Sequence, residues 1–428
     1  MAERFPSHLC VLCKGGKNLC GMSPCPLLQR VREHLPSVRV GGKEVFGPSP
    51  PGVFVGRYGY PRVFAGPMIS VSDEVDPAIF LRPSRWTEMP MEEVIALRTL
   101  LFRGGASVSV KYPQYHISRI SPGKDRVVEV AREIAMSIKP VDAELRLERE
   151  VKKTSPDLDI FIGPMGPRGD AVSARVVDNP LVPRAVDVLV DDTDARAEEG
   201  VWELYNRGID PEHIQLLFST GLLGLKRQRK LVPTRWTITA VQDTLARKLA
   251  ERVKNLPEWD RPTVYSHTLF GNRFHVLYVP GVWSFEMEET WLKGAFWGSS
   301  PEPFSDYEFH TGRKDYASKV TGAYYAARLS VLEHLLRKRR QATVIIYREI
   351  TSEYWAPLGV WVIREGVREA LRKGGVGFDT LTQAIVYITR RVDVKDWAKH
   401  SVLLRHITSQ RRIDGVWESG KTRESERG

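Results

Sequence analysis

Consecutive strands without an intervening helix are predicted for the segment TVYSHTLFGNRFHVLYVPGVWSFEME, residues Thr263–Glu288. Apolar and polar residues alternate in it, as at Phe274, Val276 and Tyr278, and a period of two is typical of strands with one buried face. Immediately before it, apolar residues spaced three or four apart predict a helix over Thr237–Asn255. This part of the chain therefore combines a sheet with at least one packed helix.

Outside this segment, strands and helices follow one another without a regular strand–helix–strand repeat. Toward the C-terminus, the pattern predicts a long helix over Lys314–Arg340 and a strand over Ala342–Arg348. Toward the N-terminus, it predicts strands at Val53–Val55 and Val141–Leu147 and a helix over Met91–Phe102. Such a mixture is typical of the α+β class, with mixed sheets and packed helices.

The length of 428 residues predicts two or three domains, since a domain has roughly 100–200 residues. We predict a small four-cysteine finger at 1–36 and an N-terminal α+β domain at 37–224. A C-terminal α+β domain with a basic entry segment follows at 225–400, and a flexible tail at 401–428. A last helix is predicted near Val394–His406.

The charge balance favours a polyanionic partner. Lys and Arg total 63 against 52 Asp and Glu, which gives a net charge of +11. Nucleic acid is the first candidate, although thermophile proteins also carry surplus basic residues. The hydrophobic content of 42% excludes a disordered chain. The chain contains no run of about 18 apolar residues, so no membrane-spanning helix is predicted. Its first residues contain no apolar leader either, so we expect a soluble, cytoplasmic protein.

The four cysteines of the chain are Cys10, Cys13, Cys20 and Cys25, with the spacing C-x2-C-x6-C-x4-C. Four thiolates meet the tetrahedral preference of Zn²⁺ and leave no open position for substrate, so the pattern predicts a structural zinc site rather than a catalytic one. Two disulfides or four free thiols are the alternatives that the spacing leaves open.

A basic segment, LKRQRKLVPTRW, runs from Leu225 to Trp236. Clustered cations of this kind neutralise phosphates and release counterions, so we predict DNA contacts there. A solvated helix face is the alternative. Nearby tryptophans, among them Trp236, Trp259 and Trp283, are candidates for stacking on unpaired bases, although tryptophans more often belong to the core. The residues predicted to contact DNA are Lys226, Arg227, Arg229, Lys230 and Arg235.

A candidate catalytic group consists of His267, Glu286 and Glu288. Two residues apart on one strand, the glutamates face the same side of a sheet, and paired carboxylates can hold Mg²⁺ or Mn²⁺ or act as acid and base. The alternative is a polar strand end with ordinary core histidines. The sequence contains no established catalytic motif and does not establish catalysis.

The C-terminal segment ITSQRRIDGVWESGKTRESERG contains the pattern Q-x-x-(aliphatic)-x-x-(apolar)-(aromatic), at Gln410, Ile413, Val416 and Trp417. Peptides of this kind dock on replication sliding clamps, with Gln in a polar pocket and the apolar residues in a cleft. Alternatively, Ile413 and Trp417 pack on the preceding helix.

Taken together, the four-cysteine segment, the blocks GVFVGRYGYPRVFAGPM, FIGPMGPRG and LVPTRWTITAVQD, and the tail motif resemble the archaeal Nre family of DNA repair proteins. The resemblance implies a role in the DNA-damage response, zinc at the four cysteines, and recruitment by the clamp PCNA through Gln410, Ile413 and Trp417. Val416 departs from the aromatic residue usual at its position. The resemblance implies no defined reaction.

Three hypotheses follow. The first is a DNA repair protein that binds DNA and is recruited by PCNA. The second is a metal-dependent nuclease, or another hydrolase acting on DNA or nucleotides, that uses His267, Glu286 and Glu288. The third is an RNA-binding protein, because a basic surface and a cysteine finger suit RNA equally well. Whether the protein is an enzyme, and its oligomeric state, stay open at the level of sequence.

Overall fold

The computed structural model describes residues 19–23, 25, 29, 40, 42–111, 124–151, 157–159, 161–295, 297–298 and 302–409. This part of the chain forms two six-stranded mixed sheets, a two-stranded ribbon, 12 α-helices and one short 3-10 helix, Pro77–Leu81. The α+β class predicted from the sequence is therefore confirmed. None of the helices described is both long enough and apolar enough to cross a membrane.

The first sheet is built from residues 44–176, in the order β1-β5-β8-β4-β3-β2. Neighbouring strands are antiparallel except for the parallel pair β4 and β8. The ribbon pairs β6 with β7. The strands of this half are β1 Glu44–Ser49, β2 Val53–Val55, β3 Arg62–Ser70, β4 Leu101–Ser109, β5 Val141–Leu147, β6 Asp157–Asp159, β7 Gly163–Met165 and β8 Arg168–Val176.

The second sheet has the order β12-β11-β13-β10-β9-β14. Its neighbours are antiparallel except for the parallel pair β11 and β13. The strands are β9 Thr263–Leu269, β10 Asn272–Val279, β11 Ser284–Trp291, β12 Phe304–Glu308, β13 Thr343–Ile350 and β14 Val376–Gly377. The segment that predicted consecutive strands thus supplies three of the six, joined by short turns.

Helices cover both sheets and fill the space between them. They are α1 Pro83–Trp86, α2 Met91–Thr99, α3 Lys124–Met136, α4 Arg184–Asp191, α5 Ala197–Asn206, α6 Pro211–Ser219, α7 Thr234–Val253, α8 Gly322–Lys338, α9 Trp361–Arg372, α10 Leu381–Thr389, α11 Trp397–His400 and α12 Val402–Ser409.

Helix α3 packs on the first sheet because its apolar residues recur at helical spacing. Val127, Val130, Ala131 and Ile134 lie three or four positions apart and are all buried, and the helix contacts β3, β4 and β8. The central helix α8 packs against α7 and α9, and α9 also covers β9 and β10. One continuous cluster of buried apolar residues joins both sheets through these helices.

The opposite face of the second sheet is covered by the C-terminal helices α10, α11 and α12. Leu277, Ile345 and Tyr347 pack there against Trp397 and Leu403 in a second, smaller cluster. Residues 401–409, assigned from the sequence to the flexible tail, therefore include a helix that is packed on the sheet.

Candidate functional sites

The three predicted catalytic residues are not brought together. Strand register pairs His267 with Phe274 and Glu288 with Tyr347, and β10 and β13 lie between β9 and β11. Across the sheet, Phe274 is paired with Arg348, and Arg348 is paired with Glu289, so His267 lies in the same row as Glu289. Successive residues of a strand face opposite sides of a sheet, so His267 faces the side opposite to Glu286 and Glu288. The expectation that the two glutamates share a face is met, but the histidine is three strands away on the other side.

Glu286 is engaged in holding the start of helix α12. Its Oε1 accepts hydrogen bonds from Ser305 Oγ at 2.7 Å and Val402 N at 3.0 Å. Its Oε2 accepts from Ser401 Oγ at 2.6 Å and Leu403 N at 2.9 Å. A carboxylate at a helix N-terminus satisfies free amide donors and interacts favourably with the helix dipole. These contacts account for the buried carboxylate without any metal ion.

Glu288 is fully buried, and neither carboxylate oxygen has a hydrogen-bond partner among the residues described. Burial, with Glu286 and Asp396 nearby, raises the pKa of Glu288 well above its usual value. His267 contacts Lys373 Nζ through Nδ1 at 3.0 Å, and burial lowers its pKa. In the described part of the chain, no three His, Cys, Asp or Glu residues are grouped so that they could hold a metal ion.

The predicted zinc finger is not found within the described residues. Cys10 and Cys13 lie outside them, while Cys20 and Cys25 are half-buried free thiols. Neither forms a disulfide with another described residue, and a thiol is a sulfur donor of the kind that Zn²⁺ prefers. The tail residues Gln410, Ile413, Val416 and Trp417 also lie outside the described residues.

Two of the five predicted DNA-binding cations, Arg229 and Arg235, use their guanidinium groups in contacts within the protein. The Arg229 guanidinium donates to the carbonyl oxygens of Val190 and Asp192 at the end of α4, and to that of Gly224. Arg235 pairs with Asp159 at 3.1 Å and lies over the Phe161 ring, 4.1 Å from its centroid. Lys226, Arg227 and Lys230 are exposed.

Exposed aromatic side chains lie at the end of the same basic segment and on the chain that packs against it. The Trp236 side chain is 45% exposed, and its ring packs on Tyr60 with centroids 5.3 Å apart. Tyr58 is 80% exposed and carries the Arg57 guanidinium 4.5 Å from its ring centroid. By contrast, Trp283 is buried completely.

Backbone hydrogen bonds bring the segments of this surface together. Val110 N donates to Pro61 O at 2.9 Å, and Leu231 N donates to Val110 O at 2.9 Å. Residues 56–62, 109–111 and 225–236 therefore adjoin, and none of these segments contains Asp or Glu. We call this surface the Trp236 patch; it comprises Arg57, Tyr58, Tyr60, Arg62, Lys111, Arg227, Lys230 and Trp236.

A cavity of about 710 Å³ lies where α6, α7 and α9 meet α1, α2 and the edge of the first sheet. We call it the Arg98 cavity. Its size falls within the range of roughly 300–1,000 Å³ that is typical of small-molecule sites. Its walls include aromatic side chains, with the rings of Trp86 and Trp361 meeting edge to face at 4.9 Å. The rim includes Arg82, Ser84 and Lys139, whose side chains are exposed, so the cavity reaches the surface.

Arg98 is a buried cation in the wall of this cavity, with 7% of its surface exposed. Its guanidinium lies 5.4 Å from the Trp86 ring centroid, and Nε has no hydrogen-bond partner in the described part of the chain. Burial, together with the neighbouring Arg103, lowers the pKa of Arg98 to about 10. No carboxylate pairs with Arg98 among the described residues, and a buried charge without a counter-ion is costly, so the site favours an added anion.

Two glutamines of the same wall have unused hydrogen-bonding groups. Gln242 is fully buried, and both its Oε1 and Nε2 have no partner among the residues described; the same is true of Gln215 Nε2. Each unpartnered buried polar group costs about 1–3 kcal/mol. Neither glutamine, nor Arg98, was singled out from the sequence as a candidate site residue.

The other charges of the cavity are largely compensated within the protein. Arg364 pairs with Glu212 and with Glu365, the latter at 2.9 Å, and Arg368 pairs with Glu333 at 3.0 Å. Of the remaining charges in the lining, the three cations Arg98, Arg82 and Lys139 outnumber the one carboxylate, Asp210, so the cavity has a net positive charge. Such a site can hold an anion beside a flat polar group.

Comparison with known proteins agrees with the resemblance stated above. The family model for the archaeal Nre N-terminal region matches residues 19–298, and the model for the archaeal Nre C-terminal region matches residues 308–415. No solved structure gives a significant match.

Three relatives are similar over most of their length. The DNA repair protein NreA of Archaeoglobus fulgidus is 38% identical over 389 residues, which cover 91% of this chain and 95% of that protein. The DNA repair protein NreB of the same organism is 36% identical over 400 residues, covering 92% and 97%. The DNA repair protein NreA of Haloferax volcanii is 36% identical over 365 residues, covering 83% and 84%. The chain belongs to the archaeal Nre family.

Proposed function

We propose that this protein is a DNA repair factor that binds DNA through the Trp236 patch. The names of its relatives support the repair role. The observation that carries DNA binding is the exposed Trp236 ring, packed on Tyr60 among cations in segments without acidic residues. Exposed aromatic rings stack on bases of every type, and adjacent cations bind the phosphates between them.

This chemistry favours single-stranded or distorted DNA over intact duplex. In a duplex the faces of the bases are already stacked on one another, whereas unpaired bases are free to stack on Trp236 and Tyr60. Arg229 and Arg235 are left out of the proposed contact surface, because their guanidinium groups have partners inside the protein.

Replacing Trp236 with alanine is expected to weaken binding of single-stranded DNA about tenfold, because one stacked base contributes roughly 1–3 kcal/mol. Reversing the charge of Lys230 should weaken binding and make it less dependent on salt. Fluorescence anisotropy with a labelled oligonucleotide at several salt concentrations measures both effects.

Phe46→Ala is the matched control, since Phe46 is an exposed aromatic on strand β1, at the other edge of the first sheet. It should bind as the unaltered protein does. Equal affinity of the Trp236→Ala and Phe46→Ala proteins would remove the patch from the proposal. Competition with structured RNA at the same salt tests the RNA-binding alternative, which predicts that RNA displaces DNA.

We also propose that the protein is recruited by PCNA through Gln410, Ile413, Val416 and Trp417. The motif begins directly after α12, whose last residue is Ser409 and whose start is bound to Glu286. The helix that directly precedes the motif in the sequence is therefore anchored to the body of the protein.

The double substitution Ile413→Ala and Trp417→Ala is expected to abolish capture of PCNA, because buried aliphatic and aromatic anchors are worth about 2 kcal/mol or more each. Surface plasmon resonance with immobilised PCNA measures the change. Truncation after Ser419 retains the motif and should bind normally, whereas truncation after Ser409 should not bind. Similar affinities of the two truncated proteins would refute recruitment through this peptide.

The third part of the proposal is a structural Zn²⁺ held by Cys10, Cys13, Cys20 and Cys25. It is supported by the spacing of the four residues and by the free thiols of Cys20 and Cys25. A metal bound by four thiolates supplies folding free energy to a short segment that lacks a large core of its own.

A hydrolytic function at His267, Glu286 and Glu288 is favoured by no contact in the described part of the chain.

A further inference from the structure

We infer that the Arg98 cavity binds one nucleotide, with a phosphate at Arg98 and the edge of the base at Gln242. The inference rests on the proposed function in one respect: the cavity suits a flat anionic ligand, and the proposed role in DNA repair selects a nucleotide among such ligands. It goes beyond that proposal because the Arg98 cavity is separate from the Trp236 patch: α7 contributes Trp236 to the surface and Thr234, Ile238 and Gln242 to the cavity.

The phosphate is inferred from a contrast among the buried arginines. Five arginines are buried in the described part of the chain, and four of them pair with a carboxylate there. The four pairs are Arg103 with Asp157 at 2.7 Å, Arg328 with Glu308 at 2.8 Å, Arg348 with Glu289 at 2.5 Å and Arg364 with Glu365 at 2.9 Å. Arg98 alone has no such pair among these residues, and its guanidinium lies over the Trp86 ring instead. An anion entering the cavity supplies the missing counter-charge.

The base is inferred from the amide of Gln242. A glutamine side chain offers one acceptor and two donors side by side, and this arrangement matches the adjacent donor and acceptor on the edge of a nucleobase. Neither group of Gln242 has a hydrogen-bond partner among the described residues, and the residue belongs to the lining of a cavity whose walls include aromatic rings. Gln215 Nε2 adds a further free donor to the same wall.

The dimensions restrict the ligand to one nucleotide. A cavity of about 710 Å³ accommodates a base, a sugar and a phosphate, but not a helix of nucleic acid. The cations Arg82 and Lys139 at the rim suit a second phosphate or the continuing backbone of a strand. The same chemistry thus comes from two sources: a free nucleotide, or a nucleotide turned out of a DNA strand.

The test compares the unaltered full-length protein with Arg98→Met and Gln242→Leu, using isothermal titration calorimetry. The probes are the four deoxynucleoside monophosphates, inorganic phosphate, and a duplex oligonucleotide with and without one mismatched base. We expect saturable binding of at least one monophosphate or of the mismatched duplex, weakened at least tenfold by either substitution. Arg207→Met, at the exposed end of α5, is the control and should bind normally.

Thermal unfolding separates a binding role from a structural one. Because Gln242→Leu removes unpartnered buried groups, it should leave the melting temperature unchanged or raise it while binding is lost. A lower melting temperature with normal binding would show that Gln242 is structural and would overturn the inference.

The remaining outcomes are also decisive. Monophosphate binding identifies a free nucleotide as the source, and binding of the mismatched duplex alone identifies a nucleotide within a strand. Equal affinity for inorganic phosphate and for nucleotides, unchanged by Gln242→Leu, or no saturable binding of any probe, would overturn the inference. Trp236→Ala should weaken binding of strands but not of monophosphates, so failure of the patch and failure of the cavity are distinguishable.

Discussion

Replacing Glu286 with alanine is expected to lower the free energy of unfolding by about 3–5 kcal/mol. The substitution leaves four donors without their acceptor: the hydroxyls of Ser305 and Ser401 and the amides of Val402 and Leu403. The loss in the free energy of unfolding is limited, because α12 can detach and expose these donors to water. Detachment in turn exposes Leu403 and Leu404, which are buried at present.

Two measurements check this expectation. Urea denaturation followed by circular dichroism gives the free energy of unfolding, and hydrogen exchange reports whether the amides of residues 402–409 lose protection. Glu286→Gln retains one acceptor oxygen, so its free energy of unfolding should lie between those of the unaltered protein and of Glu286→Ala. Glu44→Ala, an exposed glutamate of β1, should change stability by less than about 0.5 kcal/mol. A loss below about 1 kcal/mol for Glu286→Ala, with protection unchanged, would show that α12 is held by other contacts.

The purified protein is expected to contain about one equivalent of zinc, and replacement of Cys10 or Cys20 by serine should release it. A hydroxyl is a far poorer ligand for Zn²⁺ than a thiolate, and the apparent free energy of zinc binding to four-ligand fingers is about 10–16 kcal/mol. Removing one ligand therefore costs most of the metal affinity. Mass spectrometry of the metal content measures the loss.

Ser23→Ala is the matched control, because Ser23 lies between Cys20 and Cys25 and is no ligand in the proposed site. It should retain the metal. Thiol titration separates the three alternatives that the cysteine spacing leaves open. If the cysteines bind zinc, their thiols should react only after a chelator is added. If they form disulfides, no thiol should react until a reductant is added. If they are free, all should react at once. Full zinc content in the cysteine variants would show that the ligand set is wrong.

Local periodicity predicted several elements closely. The strand Val141–Leu147 has the predicted bounds, and α2 ends three residues before the predicted Phe102. These elements have a regular apolar pattern of their own, so neighbours in the sequence are sufficient to define them. The predicted long helix begins at Gly322 rather than Lys314.

The helix predicted near Val394–His406 shows where local patterns are insufficient. The structure divides this region into α11 and α12, with Ser401 in an extended conformation between them. The division follows from Glu286, which binds the Ser401 hydroxyl and the first amides of α12 from a distance of 115 positions or more along the chain. No periodicity within the segment contains that contact.

For the candidate sites, too, some properties follow from the local sequence and others only from the fold. Composition, cysteine spacing and the characteristic blocks were sufficient to identify the family and to predict a basic protein, because these properties belong to the chain itself. Arg98 falls on the buried face of α2, with Met91, Val94 and Ile95, and Gln242 lies one turn after Ile238 on α7. A charged or amide side chain on an apolar face is thus the signal that the sequence contained.

Only the tertiary structure shows what such a side chain meets. Strand pairing separated His267 from Glu286 and Glu288, and helix packing placed Arg98, Gln215 and Gln242 around one cavity. Periodicity along a chain tells which face of an element is covered, but the partner that covers it comes from a distant segment. For a buried charge or amide, that partner, or its absence among the described residues, determines whether the group stabilises the fold or is left to bind a ligand.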